Sequence, residues 1–166
     1  MILKPLIRIT PILFSVLFFC NIDTSLGNDR KQPFKDTSGY DVHCYHIQLN
    51  VSDKSTYLSG RTIVYGSIIE PDIQKIDLEL SASLIIDSIV YNNKTATFKR
   101  DIDCVSIDLD HAKDTSFKLD FYYHGTPLQT SEFGGIRNQF VSNSLKLVTY
   151  SLSEPFFAKD WFPCKQ

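Results

Sequence analysis

Four histidines, His43, His46, His111 and His124, are the natural starting point for metal or acid–base chemistry. None begins a His-Glu-x-x-His motif, the helical spacing that brings two imidazoles onto one zinc ion. His43, Cys44 and His46 lie close together. On a strand, however, positions 43 and 46 face opposite sides unless a bulge realigns them, so a structural role fits them better than metal binding. No strained turn around a serine supports a Ser/His/Asp triad. Cys44, Cys104 and Cys164 form no Cys-x-x-Cys pair, so their spacing carries no zinc signal. One disulfide plus a thiol and three thiols are both compatible with the sequence. The remaining candidate is Glu154, in the run Ser153-Glu154-Pro155. A carboxylate there can accept a charge-assisted hydrogen bond from an ammonium group, or it can sit at the positive end of a short capped helix. Around it, Tyr150, Phe156, Phe157, Trp161 and Phe162 suit a core, an interface or the wall of a subsite, and a terminal segment this rich in aromatics is expected to need a partner to cover it.

The elements that must position these groups read as strands. Tyr45, Ile47, Leu49 and Val51 alternate with His46, Gln48 and Asn50, the period-two pattern of a half-buried strand. Val42 is out of phase with that set, which predicts a bulge near His43 and Cys44. Lys54 to Gly60 reads as a turn before a β-branched strand through Thr62, Ile63, Val64 and Tyr65. Further strands are expected at Ile76 to Leu80, Leu84 to Tyr91, Thr95 to Lys99, Val105 to Leu109, Phe117 to Tyr123 and Leu145 to Leu152. Asn92-Asn93 marks a tight turn between two of them. Leu128 to Ser144 is irregular, and Gly134-Gly135 predicts a loop with unusual backbone angles. No window carries a helical stripe, apart from a turn expected near Pro155 to Trp161. About eight short strands separated by turn signals predict an all-β domain, an antiparallel β-sandwich or saddle-shaped sheet assembly.

The order of several short motifs resembles the N-terminal β-domain of aminopeptidase N-type (gluzincin) zinc metallopeptidases. Tyr40-Asp41-Val42-His43-Cys44-Tyr45-His46-Ile47-Gln48-Leu49 looks like that family's first strand, Tyr-Asp-x-x-x-Tyr-x-Leu-x-Leu. Gly60 before Thr62-Ile63-Val64 matches its second strand, and Ile76-Asp77-Leu78-Glu79-Leu80 is similar to its third. Tyr122-Tyr123-His124-Gly125-Thr126-Pro127 resembles its Tyr-x-Gly-x-Pro turn, and Gly134-Gly135 sits where it has a Gly-aromatic loop. Ser153 to Gln166, with Ala158-Lys159 and Phe162-Pro163-Cys164, resembles the segment that closes the domain. Lys159 stands where the family usually has Arg, and Gln166 where it usually has Asp. The resemblance implies that Glu154 binds the free α-amine of a substrate in a full-length enzyme. It also implies zinc held by a catalytic domain, through His-Glu-x-x-His and a downstream Glu, with a Gly-x-Met-Glu-Asn substrate motif. This chain has neither motif, so no catalytic residue and no metal ligand is expected in it, and alone it should be inactive.

Lys4 and Arg8 followed by the short apolar run Ile9 to Phe19, with Ser25-Leu26-Gly27 beyond, have the pattern of an export signal cleaved after Gly27. The run falls short of the roughly 18–20 residues that span a bilayer, so an anchor fits less well. A lipoprotein signal at Cys20 fits poorly because Phe19 is bulky. The expected organisation is a signal peptide over 1–27, a polar linker over 28–39 and the β-domain over 40–166, truncated before the catalytic domain. The expected location is periplasmic or extracellular. A formal net charge of −2, with basic residues scattered, gives no reason to expect nucleic acid as a partner. The expected partners are the missing catalytic domain or a separately encoded peptidase chain, and a peptide N-terminus in a complete enzyme. Asn50-Val51-Ser52 and Asn93-Lys94-Thr95 match the short glycosylation acceptor pattern. A freestanding secreted β-sandwich module binding peptide, carbohydrate or protein is the rival reading.

Overall fold

The chain folds as antiparallel sheets, seen in a computed structural model that describes residues 14–17, 39–109, 115–129, 134–141, 146–153 and 156–165. The strands are β1 (Phe14–Leu17), β2 (Tyr40–Asn50), β3 (Leu58–Ile68), β4 (Lys75–Glu79), β5 (Leu84–Tyr91), β6 (Lys94–Thr95), β7 (Phe98–Asp101), β8 (Cys104–Asp108), β9 (Ser116–Gly125), β10 (Ile136–Phe140) and β11 (Leu147–Ser151). A six-stranded sheet runs β1-β2-β3-β9-β5-β6, a three-stranded sheet runs β4-β8-β7, and β10 and β11 pair as a hairpin. Most of the positions read from the sequence as an export signal and a linker lie outside the described residues. Within the apolar run, Phe14–Leu17 pairs along β2.

Alternation sets the inner faces. Phe117, Leu119, Phe121 and Tyr123 of β9 are buried, as are Ile76 and Leu78 of β4 and Val105 and Ile107 of β8. They form one cluster between the six-stranded and three-stranded sheets. The bulge expected near His43 is present: the register of β2 on β3 shifts between Val42 and Cys44. It returns both Tyr40 and the Ile47–Leu49 set to the core side. Asn92 (φ 43°) and Asn93 (φ 70°) both adopt left-handed angles, as a two-residue hairpin turn with right-handed strand twist requires.

Three expectations are corrected. The stretch read as a turn up to Gly60 already contains strand from Leu58, which is fully buried and pairs with Gly125. The irregular stretch after Leu128 contains β10, whose Arg137-Asn138-Gln139 centre has no apolar alternation because the hairpin is solvated. The single strand expected at Thr95 to Lys99 is two, β6 and β7, which belong to different sheets.

The β5–β9 side is held to the three-stranded sheet by an unusual clamp. The Arg100 guanidinium donates to the carbonyls of Leu80 (2.8 Å), Ser81 (2.5 Å), Leu84 (2.6 Å) and Ile102 (3.0 Å). Partial burial lowers its pKa from the usual arginine value, with the nearby Asp103 charge acting in the opposite direction.

Candidate functional site

Glu154, the predicted amine anchor, and Pro155 lie outside the described residues, but the chain on either side is placed. Ser153 accepts a hydrogen bond from the Trp161 indole (2.5 Å). The Trp161 carbonyl accepts one from the Tyr123 hydroxyl (3.0 Å), at the centre of the core. Because Tyr123 spends its one proton there, the Thr62 hydroxyl must donate to it across 3.0 Å. Burial holds the Tyr123 phenol protonated, well above the ordinary tyrosine range. A relay of polar contacts thus fixes Ser153 to β3 and β9. On the other side Phe156 has φ 81° and is 73% exposed, a strained conformation for an aromatic residue. Phe157 lies against Gly134, where a Cβ would meet its ring at 2.6 Å, and Gly135 has φ +78°. The expected glycine loop is therefore real, and close packing of an aromatic ring explains its first glycine.

The aromatic terminal segment was expected to need a partner to cover it. Instead, the described residues from Phe157 to Lys165 dock on the domain itself. Glu79 and Cys164 exchange backbone hydrogen bonds (2.7 and 3.0 Å), and Ser81 donates its N–H to the Lys159 carbonyl (2.8 Å). Trp161 is buried and packs edge-on to Phe162, their centroids 4.7 Å apart. The physical reason is that β4 is an edge strand of the three-stranded sheet and accepts this segment in its place. Lys159 lies between Glu79 (3.4 Å) and Asp103 (3.2 Å). Burial alone would lower its ammonium, but the two carboxylates together hold it above the ordinary lysine value. A point charge suffices to reach both acids, so the lysine found where the family usually has Arg still has an anchoring role.

The Tyr45 hydroxyl accepts a hydrogen bond from the Lys165 N–H (2.8 Å), and Lys165 Nζ donates to the Tyr40 carbonyl (2.6 Å) while lying 4.4 Å from the centre of the Tyr40 ring. Burial pushes the Tyr45 phenol up to about 12, against the opposing pull of the Lys165 N–H. The folded state therefore holds this proton after an unfolded tyrosine, near 10, has released it. The stabilisation is fully present below pH 10 and is lost as pH rises towards about 12. Urea titrations across this window should show stability falling with pH, and Tyr45→Phe should flatten part of that slope. An unchanged slope in the variant would contradict this account of Tyr45.

Next to Trp161 lies a cleft of about 300 Å³. Its walls include Ile47, Leu49 and Val51 from β2 and its extension, Ile136 and Tyr150 from the hairpin, and Trp161. Tyr150, Trp161 and Ser153 therefore converge on one region, whereas Phe156 points into solvent and Phe162 packs against Tyr45. A polar groove beside the hairpin, bounded by Gln129, Arg137, Asn138 and Tyr150, gave no sequence signal.

The described histidines do not assemble into a metal-holding group. His43 shares a hydrogen bond with Ser67 (2.6 Å), His124 contacts Asp87, and His111 lies outside the described residues. No group of three His, Cys, Asp or Glu side chains among the described residues is arranged to hold a metal ion. Cys44, Cys104 and Cys164 are present as thiols, half-buried, exposed and buried respectively. Sequence reasoning missed Asp120, which is buried on the opposite face of β9 and is paired with Arg61 (2.7 Å) and Lys118 (3.0 Å). A charged residue inside the alternating run Phe117 to Tyr123 was the available signal.

No family model matches the chain, and no curated protein matches it by sequence. Its fold matches the N-terminal β-domain of M1 zinc metallopeptidases and of leukotriene A4 hydrolase. The M1 zinc metallopeptidase of Deinococcus radiodurans is similar with a TM-score of 0.54 at 22% identity, over 66% of this chain and 25% of that one. A variant of the Deinococcus radiodurans enzyme bound to a Tyr-Ser-Ala substrate matches at 25% identity, with a TM-score of 0.51 and the same coverage. Yeast LTA4 hydrolase in complex with bestatin matches over 82% of this chain and 23% of that one, with a TM-score of 0.57 at 16% identity. The chain spans about a quarter of the length of these proteins. The class defined here is thus an M1-type N-terminal β-domain fold.

Proposed function

We propose that this chain acts as the non-catalytic N-terminal domain of an exported zinc aminopeptidase, supporting a catalytic domain and helping to bind the substrate's N-terminus. The observation that carries the reading is the likeness in fold to the corresponding quarter of M1 zinc metallopeptidases. The Ser153–Trp161–Tyr123 relay adds to it, since it ties the residue beside Glu154 to the rigid core. Zinc belongs to the catalytic domain in this reading, and the partner is that domain or a separately encoded peptidase chain. The test mixes the chain with a separately expressed M1 catalytic domain and follows association and hydrolysis of aminoacyl reporters. Glu154→Ala should lower kcat/KM about 10- to 100-fold, as expected for losing one hydrogen bond to a charged group worth roughly 1.5–3 kcal/mol. Absence of association, or an unchanged kcat/KM in the variant, would count against the reading.

A freestanding secreted module binding peptide, carbohydrate or protein is the second reading. It is favoured by the docking of Phe157 to Lys165 on the domain's own sheets, which leaves fewer aromatic groups to meet a catalytic partner.

A further inference from the structure

β2 has one side paired to β3 along its length apart from the bulge, and on the other side, among the described residues, it carries the four-residue β1. From Cys44 to Leu49 it contains no Lys, Arg, Asp, Glu or Pro, the residues that usually blunt a sheet edge against strand addition. Its bulge lies at the far end, between Val42 and Cys44, so the stretch from His46 to Leu49 keeps regular register. The apolar cleft opens on the side to which Ile47 and Leu49 contribute. At about 300 Å³ it has the dimensions of a small ligand cleft, which takes side chains and not a folded domain. A row of backbone donors and acceptors beside pockets for alternate side chains is the arrangement by which sheets bind extended peptides.

We infer that the outer edge of β2, together with this cleft, is an acceptor site for an extended peptide strand with apolar residues at alternate positions, bound antiparallel to β2. The chain supplies such a strand itself: Phe14 is in register with Leu49 and Val16 with Ile47. Residues opposite each other in an antiparallel pair share a face, so the side chains of an added strand opposite Ile47 and Leu49 enter the cleft. Backbone pairing supplies affinity without regard to sequence, and the cleft selects for apolar residues two apart. Cleavage after Gly27, the site expected from the sequence, would remove Phe14–Leu17 and open the edge to a strand of another polypeptide. The inference does not depend on a zinc aminopeptidase partner, because it uses only β2, the hairpin and Trp161.

The test uses the full chain and a labelled peptide, Lys-Lys-Phe-Ser-Val-Leu-Lys-Lys, followed by fluorescence anisotropy. Phe14→Asp with Val16→Asp places charges at the two positions in register with the cleft wall and should release the edge. This double variant is expected to bind the peptide about tenfold or more tightly than the unsubstituted chain. Adding Val51→Lys, at an exposed position on the cleft wall, should reverse that gain, as should replacing the peptide's Phe and Val by Asp. Circular dichroism of each variant checks that the sheets persist. Equal binding by both chains, binding by neither, or insensitivity to Val51→Lys would overturn the proposal. Dimerisation of the double variant with no peptide binding would also overturn it, in favour of edge pairing between copies.

Discussion

Trp161→Ala is expected to lower the stability of the domain by about 3–5 kcal/mol, the range for truncating a buried aromatic side chain. Trp161 is only 8% exposed and belongs to the main core cluster. Its loss removes the edge contact with Phe162 and the indole donor that holds Ser153. The Tyr123 hydroxyl keeps its acceptor only while the backbone at 161 stays docked. If the segment lifts away, a phenol at the centre of the core loses that acceptor, which adds roughly 1–3 kcal/mol. The variant should therefore unfold at markedly lower urea, and amide protection around Cys164 should fall with it. A change below about 1 kcal/mol would mean that the terminal segment contributes little and that Ser153 is positioned by something else.

The parts of this arrangement that were legible in the sequence are those written in local periodicity. The bulge at Val42 and Cys44 could be read because two in-phase runs flank one out-of-phase residue. Asn92-Asn93 could be read because few residues other than asparagine tolerate two successive left-handed angles. β10 could not, since a solvated hairpin imposes no alternation on Arg137, Asn138 and Gln139. The docking of the terminal segment was equally hidden. A run containing Phe156, Phe157, Trp161 and Phe162 looks the same whether it covers a partner or its own sheet, and only the open edge of β4 decides. Asp120 was overlooked because burial of a carboxylate depends on Arg61 and Lys118, of which Arg61 is fifty-nine residues away in sequence.

The candidate site follows the same division. Glu154 could be singled out from its chemical type and its neighbours, but nothing local in the sequence connects it to Trp161, Tyr123 and Thr62. That connection runs through the sandwich core, so changes far from Glu154 in sequence are expected to disturb it. The cleft is also non-local, being assembled from β2, the β10–β11 hairpin and the terminal segment. Its walls are set by how closely β2 approaches β3, and a single glycine governs that approach.

Gly60→Val is expected to destabilise the domain by about 3 kcal/mol or more, at or above the upper end of the roughly 1–3 kcal/mol typical of overpacked sites. Strand propensity alone predicts the opposite sign, because valine is a better strand former than glycine by up to about 1 kcal/mol. The contact geometry decides between them. A Cβ at position 60 would lie 2.1 Å from the Gln48 carbonyl oxygen and 2.9 Å from Leu49 Cα, so the obstacle is backbone and not a side chain that can rotate away. Gly60 pairs with Leu49 on one side and Tyr123 on the other, in the interior of the six-stranded sheet, so neither neighbour can retreat without breaking a ladder. The glycine that begins the second-strand motif is thus required by the close approach of β2. Because Leu49 also lines the cleft, the substitution should displace the cleft wall even where the sheet survives. Urea unfolding of Gly60→Val and Gly60→Ala separates the two effects. Graded loss, with alanine intermediate, is the expected result; stabilisation by valine would show that propensity wins and that β2 can move outward freely.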